Sequence, residues 1–277
     1  MSETAMHPSE TATFPSPVRP VGSNGTRAFR AVGALILREM ATTHGKSPGG
    51  FLWAIAEPVA AIALLSFAFS MIFVAPPLGR DFALFYATGF LPFFLFLDVS
   101  QKVAAALGFS RPLLGFAGVT WVDAIVARFL LNTLTHLIIF GLFIGALIVL
   151  GEQSAPPDLP SLALALAMAA ALALGTGTVN AYLAGTYPVW DRIWSVLMRP
   201  LFIVSGVVFL FEAVPRQLQY WMSWNPLFHV TGEMRRAFYP TYHPNYISLE
   251  YVFGLSLGLL VIGACLLHRF HDALVRK

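Results

Sequence analysis

The fold class this sequence predicts is an all-α polytopic membrane protein, and three observations predict it. Only 11% of its 277 residues are charged, while 57% are hydrophobic. A soluble domain carries about 25% charged residues, so a fully water-facing surface cannot be assembled from this chain. Six stretches approach the roughly 20 mostly apolar residues that cross about 30 Å of hydrocarbon. The basic residues between those stretches fall mainly on alternate connections, as in a chain oriented by the positive-inside rule.

The elements follow in order. Residues 1–26 are rich in Ser, Thr and Pro and lack an apolar run. They are expected to form a disordered cytoplasmic tail and not a signal peptide. Residues 27–46 follow as an amphipathic interface helix. Phe29, Val32, Ile36 and Met40 recur at helical spacing, with Arg30, Arg38 and Glu39 elsewhere. Such a helix suits the membrane surface, its arginines toward anionic headgroups.

Spans are expected at about 53–75, 82–103, 122–149, 161–185, 197–212 and 248–267, with 268–277 left as a cytoplasmic tail. The fourth carries Gly175, Gly177 and Gly185 in an Ala/Leu run, and small residues let helices approach closely in lipid. The fifth is short. Six spans place both termini on one side, which collects twelve of the 17 Lys and Arg residues; the other side has four, Arg80, Arg216, Arg235 and Arg236. The first side is therefore read as cytoplasmic.

Between the fifth and sixth spans lies a polar interruption at about 214–239. Pro215 opens a short helix. Asn225 is a suitable N-cap and Pro226 a suitable first residue for a second helix, and Pro240 stops it. Leu227, Val230, Met234 and Phe238 form one stripe of that helix; His229, Glu233 and Arg236 form the opposite face, with Glu233 able to pair with Arg236. Arg235 has no acidic neighbour at helical spacing, so it is expected to contact substrate and Arg236 to support the helix. Two short helices after a truncated span suggest a re-entrant hairpin on the extracytoplasmic side. Backbone of this kind is tolerated at membrane depth only against protein or a water-filled cavity.

Chemistry-bearing motifs are sparse. Gly45-Lys46-Ser47 matches the end of a phosphate loop, but the pattern needs a glycine where Met40 stands and a preceding strand. No hydrolytic or dinucleotide motif appears, so no catalytic or metal site and no cofactor is expected on this chain. The single Cys265 excludes an internal disulfide. The net charge of +3 is read as orientation, not as nucleic-acid binding.

Ionisable groups inside spans need a reason. Glu57 precedes Pro58, and Asp98 lies in the second span. Arg128, Asn132 and His136 follow at i, i+4 spacing on the third. They either line a hydrophilic path or form internal salt bridges, such as Arg128 with Asp98 or Glu57. Seven aromatics between Phe82 and Leu97 either pack or offer rings on which a sugar could stack.

The order of "REMATTHGKSPGGFLWAIAEP" (38–58), "FSRPLLGFAGVTWVDAIVARFL" (109–130) and "NPLFHVTGEMRRAFYPTY" (225–242) resembles the permease subunit of ABC-2 type capsular polysaccharide exporters. The resemblance covers about residues 27–277. It implies a homodimer of six-helix permeases with two cytoplasmic ATPase subunits that hold ATP and Mg, and a lipid-linked glycan as cargo. It further implies a bacterial inner membrane location and periplasmic and outer-membrane export partners. The ATPases would dock on the interface helix and on the Ser110–Val119 loop, through Arg111, Pro112, Leu113, Leu114 and Phe116. The hairpin would be the outer gate, its charges facing water or glycan. Channel candidates are thus Arg128, Asn132, His136, His229, Arg235, Arg236 and Tyr239. Two alternatives compete: export of O-antigen, teichoic acid or a small hydrophobic molecule, and a membrane-embedded transferase. The second would need clustered acids or histidines, and Glu57, Asp98, Asp123 and Asp191 fall on different segments.

Overall fold

A computed structural model describes residues 24–43, 50–114, 119–150 and 156–276. Ten α-helices and one 3-10 turn make up the described chain: α1 Asn24–Thr43, α2 Gly50–Ser70, α3 Phe82–Ala104, α4 Ala106–Leu114, α5 Trp121–Val149, α6 Leu159–Thr186, α7 Trp190–Val204, the 3-10 turn Phe211–Ala213, α8 Arg216–Met222, α9 Pro226–Phe238 and α10 Leu249–Arg276. Among the described residues, five helices are long and apolar enough to cross a membrane: α2, α3 running on into α4, α5, α6 and α10.

The expected span at 197–212 takes another form. Its helix, α7, begins at Trp190 and ends at Val204, about 22 Å at 1.5 Å per residue, which is less than the hydrocarbon thickness. At Gly206 the backbone turns to φ +74, a conformation that glycine adopts without a steric penalty. An irregular segment then runs to the 3-10 turn. The final helix continues through residues 268–276, which the sequence set apart as a tail.

Alanine and glycine decide the packing. α6 lies at the centre, against α3 on one side and α10 on the other. A Cβ on Gly177 would stand 2.7 Å from Cβ of Val103 in α3. One on Gly175 would run into the Ser256 carbonyl of α10, and one on Gly263 of α10 would stand 2.7 Å from the Val179 nitrogen of α6. The close approach expected of small residues in a membrane helix is present. Gly185 is exposed.

Caps define the helix starts. Asp81 accepts from the Ala83 and Leu84 amides at 3.0 and 3.2 Å. Thr120 and Asp123 form a reciprocal capping box at the start of α5. Asp158 opens α6 and accepts from the Ser161 amide at 3.2 Å. Hydrogen bonds from Ser161 hold the Asp158 carboxyl below the usual range, aided by Arg236.

Candidate functional site: a buried helical hairpin and a polar seam

At one end of the bundle α8 and α9 fold back after α7. Asn225 caps α9 by accepting from the Leu227 amide at 3.0 Å, and Pro226 occupies its first position. The same Asn225 donates to the Val204 carbonyl at 2.9 Å, tying the cap to the end of α7. Thr231 donates to the Ser205 carbonyl at 3.0 Å. A side chain at Gly206 would collide with the Phe228 ring, with Cβ 2.5 Å from Cε1. The break after α7 and the docking of α9 are therefore one structural unit.

α9 is buried almost throughout, with Arg236 its one exposed residue, unlike the two-faced helix the sequence predicts. Leu227, Val230, Met234 and Phe238 are inside as expected, but His229, Glu233 and Arg235 are inside as well. The reason is placement: α9 is inserted against α3 and α6 and also touches α10, so protein covers most of its circumference. Arg236 makes the expected pair with Glu233, whereas the position of Arg235 does not fit the substrate contact expected of it. Arg235 is 1% exposed and has no surface to offer a polymer. Its Nη1 donates to the Phe209 carbonyl and its Nη2 to the Val207 carbonyl, both at 3.2 Å. Its guanidinium lies 4.3 Å from the Phe85 ring centroid. A planar fork with several donors suits two carbonyls at once, so Arg235 pins the irregular segment. Arg236 reaches outward: its side chain is 42% exposed, with Nη2 2.7 Å from Glu233, and it donates to the Ser161 hydroxyl at 3.3 Å. Burial holds the Glu233 carboxyl above its usual range, with Arg236 pulling it down.

His229 joins the hairpin to α10. Its Nδ1 accepts from the Ser248 amide at 3.0 Å, and Nε2 lies 2.8 Å from the Ser223 carbonyl. An amide can only donate and a carbonyl can only accept, so the ring is neutral with the proton on Nε2. Burial lowers its pKa in the same sense. Tyr239 is buried against Gly79. Tyr242 donates to Glu212 at 3.1 Å, and Tyr246 stacks on Phe211 with centroids 4.1 Å apart. Burial pushes the Tyr246 phenol up to about 12 and raises Tyr239 and Tyr242 as well. His229 and Tyr239 are thus structural groups of the hairpin.

A polar seam runs where α1, α3, α4 and α5 meet. Arg128 Nε lies 3.2 Å from Glu39, and Nη1 donates to the Lys102 carbonyl at 3.0 Å. Its guanidinium covers Phe109 of α4 at 4.1 Å, with Arg38 over the same ring at 5.2 Å. Asn132 donates to the Arg128 carbonyl at 2.8 Å, and its amide reaches Glu39 at 3.5 Å. His136 pairs with Asp98 at 3.0 Å. The salt-bridge option is therefore realised, but with other partners: Glu39 and not Asp98 or Glu57 takes Arg128. The polar face of α1 is correspondingly turned. Glu39 is 4% exposed and Leu35 is buried, while Phe29 and Met40 of the expected apolar stripe are exposed. A buried arginine on α5 attracts the only carboxylate of α1, which turns that face inward. Arg30 is exposed. Beside the seam, Glu39, Glu57, Asp98, Asn132 and His136 face a cavity of about 200 Å³, so pairing and lining coexist.

Residues 30–239 match the ABC-2 type transporter family, most of the chain. The chain belongs to the ABC-2 type transporter family. It is 31% identical over 244 residues to the polysialic acid transport protein KpsM of Escherichia coli, covering 88% of this chain and 95% of that protein. It is 26% identical over 241 residues to the capsule polysaccharide export inner-membrane protein CtrC of Neisseria meningitidis serogroup A, covering 87% of this chain and 91% of the other. The same figures hold for BexB of Haemophilus influenzae, which carries the same description.

In this ABC-2 type chain the described residues expected to dock an ATPase stand on a helix. Arg111, Pro112, Leu113 and Leu114 end α4, where the sequence predicts a loop. Arg111 and Pro112 are exposed, while Leu113 and Leu114 are half-buried, Leu114 against the core. Phe116 lies outside the described residues. The aromatic run divides in two. Phe85, Tyr86, Phe93 and Phe96 are core. Phe90 and Phe94, stacked at 5.6 Å, face a cavity of about 440 Å³ shared with Phe202, Glu57, Gln101 and Arg199. Phe85, Phe109 and Glu212 are partners the sequence reading missed, because each acts across elements far apart in the chain.

Proposed function

We propose that this chain is the permease subunit of an exporter that moves lipid-linked, acidic polysaccharide across a bacterial inner membrane. The end-to-end match carries the proposal: relatives named for polysialic acid transport or capsule polysaccharide export are covered over 91–95% of their own length. Two copies of the chain form the channel. Two cytoplasmic ATPase subunits, holding ATP and Mg, dock on α1 and on the end of α4, and periplasmic and outer-membrane export proteins receive the glycan. Both termini are cytoplasmic, which places the α8–α9 hairpin at the outer end as a re-entrant gate.

Two features of the geometry support the coupling and the glycan path in this reading. A guanidinium joins α1, α3, α4 and α5, so displacement of α1 or α4 by an ATPase reaches the bundle without slack. The stacked Phe90 and Phe94 and the carboxylate of Glu57 form the kind of wall on which sugar faces slide and hydroxyls bond. Deletion of the gene tests the function. Glycan is expected to accumulate in the cytoplasm and to leave the cell surface, and an ATPase is expected to co-purify with the tagged chain. Export of a small hydrophobic molecule with normal surface glycan would contradict the reading.

A further inference from the structure

We propose that a tryptophan-lined cavity between α3, α6 and α7 is a binding subsite for one sugar unit of the cargo, an inference that rests on the export reading above. The cavity measures about 340 Å³, and Gln101, Asn180, Trp190, Asp191, Trp194 and Ser195 line it together with three alanines. That size falls among small-molecule sites, roughly 300–1,000 Å³. The alanines stand at the joint of α3 and α4 and near the end of α6, where small side chains leave the room. Trp190 and Trp194 lie one turn apart on α7, with ring centroids 6.3 Å apart and planes 26° from parallel. Trp190 Nε1 donates to the Asn180 side-chain oxygen at 3.0 Å, which fixes that ring against α6. Gln101 and Ser195 also line the aromatic cavity of Phe90, Phe94 and Phe202, so the subsite adjoins the wall proposed for the glycan.

The wall carries donors and acceptors side by side. Asn180 Nδ2 and Trp194 Nε1 have no hydrogen-bond partner among the described residues, and a buried donor without an acceptor is costly. Ser195 already donates to the Arg192 carbonyl at 2.9 Å, so its oxygen is left to accept. The Asp191 carboxylate, exposed in the first turn of α7, accepts as well. A phosphate or carboxylate would meet the donors but stand beside Asp191. An amine would meet Asp191 but not the donors. A hydroxyl both donates and accepts, and the C–H face of a pyranose ring packs on indole, so a sugar unit matches the whole wall. An acidic substituent on that unit has a place next door. The adjoining cavity, about 470 Å³, shares Ala104, Ala105, Ala184 and Asp191 with the first and adds Arg111 and Arg128.

The test is equilibrium dialysis of the purified permease–ATPase complex in nanodiscs. The probe is a set of radiolabelled oligosaccharides released by mild acid from the surface glycan of the same strain and freed of lipid. Saturable binding is expected. Asp191→Ala should weaken it about tenfold, the scale of one hydrogen bond to a charged group, and Asp191→Asn, which keeps an acceptor, should restore part of it. Ala184→Leu fills the cavity without removing a polar group and should abolish binding. Asp191 is exposed and Ala184 half-buried, so both variants should melt like the wild type and retain the ATPase. Absence of binding by the wild-type complex, or unchanged affinity in either Asp191→Ala or Ala184→Leu, would overturn the subsite. Loss of the ATPase from the Ala184→Leu complex with oligosaccharide affinity unchanged would assign the cavity to the ATPase and overturn it as well. Normal surface glycan in the deletion strain would instead overturn the export reading, so the two failures are separate.

Discussion

Replacing Arg235 with methionine separates a structural role from a substrate role. Arg235 makes two charge-assisted hydrogen bonds and one ring contact, all buried. Each such bond contributes about 1.5–3 kcal/mol, and a desolvated ring contact about 2 kcal/mol. Against this stands the desolvation of the guanidinium, several kcal/mol, which methionine avoids while keeping most of the stem. Methionine leaves the Val207 and Phe209 carbonyls without their donor, at about 1–3 kcal/mol each. Because backbone carbonyls cannot be mutated away, this last effect dominates, and a net loss of about 3 kcal/mol is expected. Arg235→Lys should be similarly destabilised, since one ammonium cannot serve both carbonyls in the same plane. The assay is thermal unfolding of the detergent-purified permease, followed by tryptophan fluorescence, alongside surface glycan. Both variants should melt earlier and export in proportion to the folded protein remaining. Wild-type melting with lost export would refute the structural role and return Arg235 to the substrate.

Three further outcomes are expected. The neutral His229 has a pKa depressed by burial, so its contribution is present above the unfolded value of about 6.5 and is lost as pH falls through the folded value. Protection of the amides in 223–248, referred to the intrinsic exchange rate at each pH, should therefore fall on acidification, and His229→Gln should flatten that dependence. Glu39→Gln leaves Arg128 buried without its carboxylate, at about 3 kcal/mol. Protease sensitivity of α1 should increase and export should drop, with α9 unaffected. With Cys265 replaced, a cysteine at the exposed Asn245 should react with an impermeant maleimide in spheroplasts, and one at the exposed Tyr187 only after permeabilisation. The opposite pattern would invert the orientation.

What the sequence revealed follows what is local in it. Apolar length announces α2, α3, α5, α6 and α10, and Asn225-Pro226 with Pro240 marks α9 nearly to the residue. Gly175 and Gly177 signal close packing because a missing side chain is visible in any context. The partner of a charge is another matter. Arg128 takes Glu39, 89 residues away, and periodicity along α5 says nothing of α1. Arg235 seemed free because no acid lies within one turn, yet its partners are backbone carbonyls, which every residue carries and no composition reveals. The two faces of α9 misled for a related reason: a hydrophobic stripe shows which side is buried most, not that the other side is wet. Ser110–Leu114 contains a proline and an arginine and reads as loop, but α4 continues almost in register from α3, and tertiary packing overrides local preference there.

The central claim is that this chain passes glycan across the membrane when a separate ATPase burns ATP. Inverted vesicles holding the permease and its ATPase, loaded outside with the lipid-linked glycan, test it most directly through the fraction protected from an added glycan-degrading enzyme. ATP should raise the protected fraction in vesicles with both subunits, and neither subunit alone should do so. Glycan left equally degradable with and without ATP, in vesicles whose ATPase is active and bound, would contradict the account.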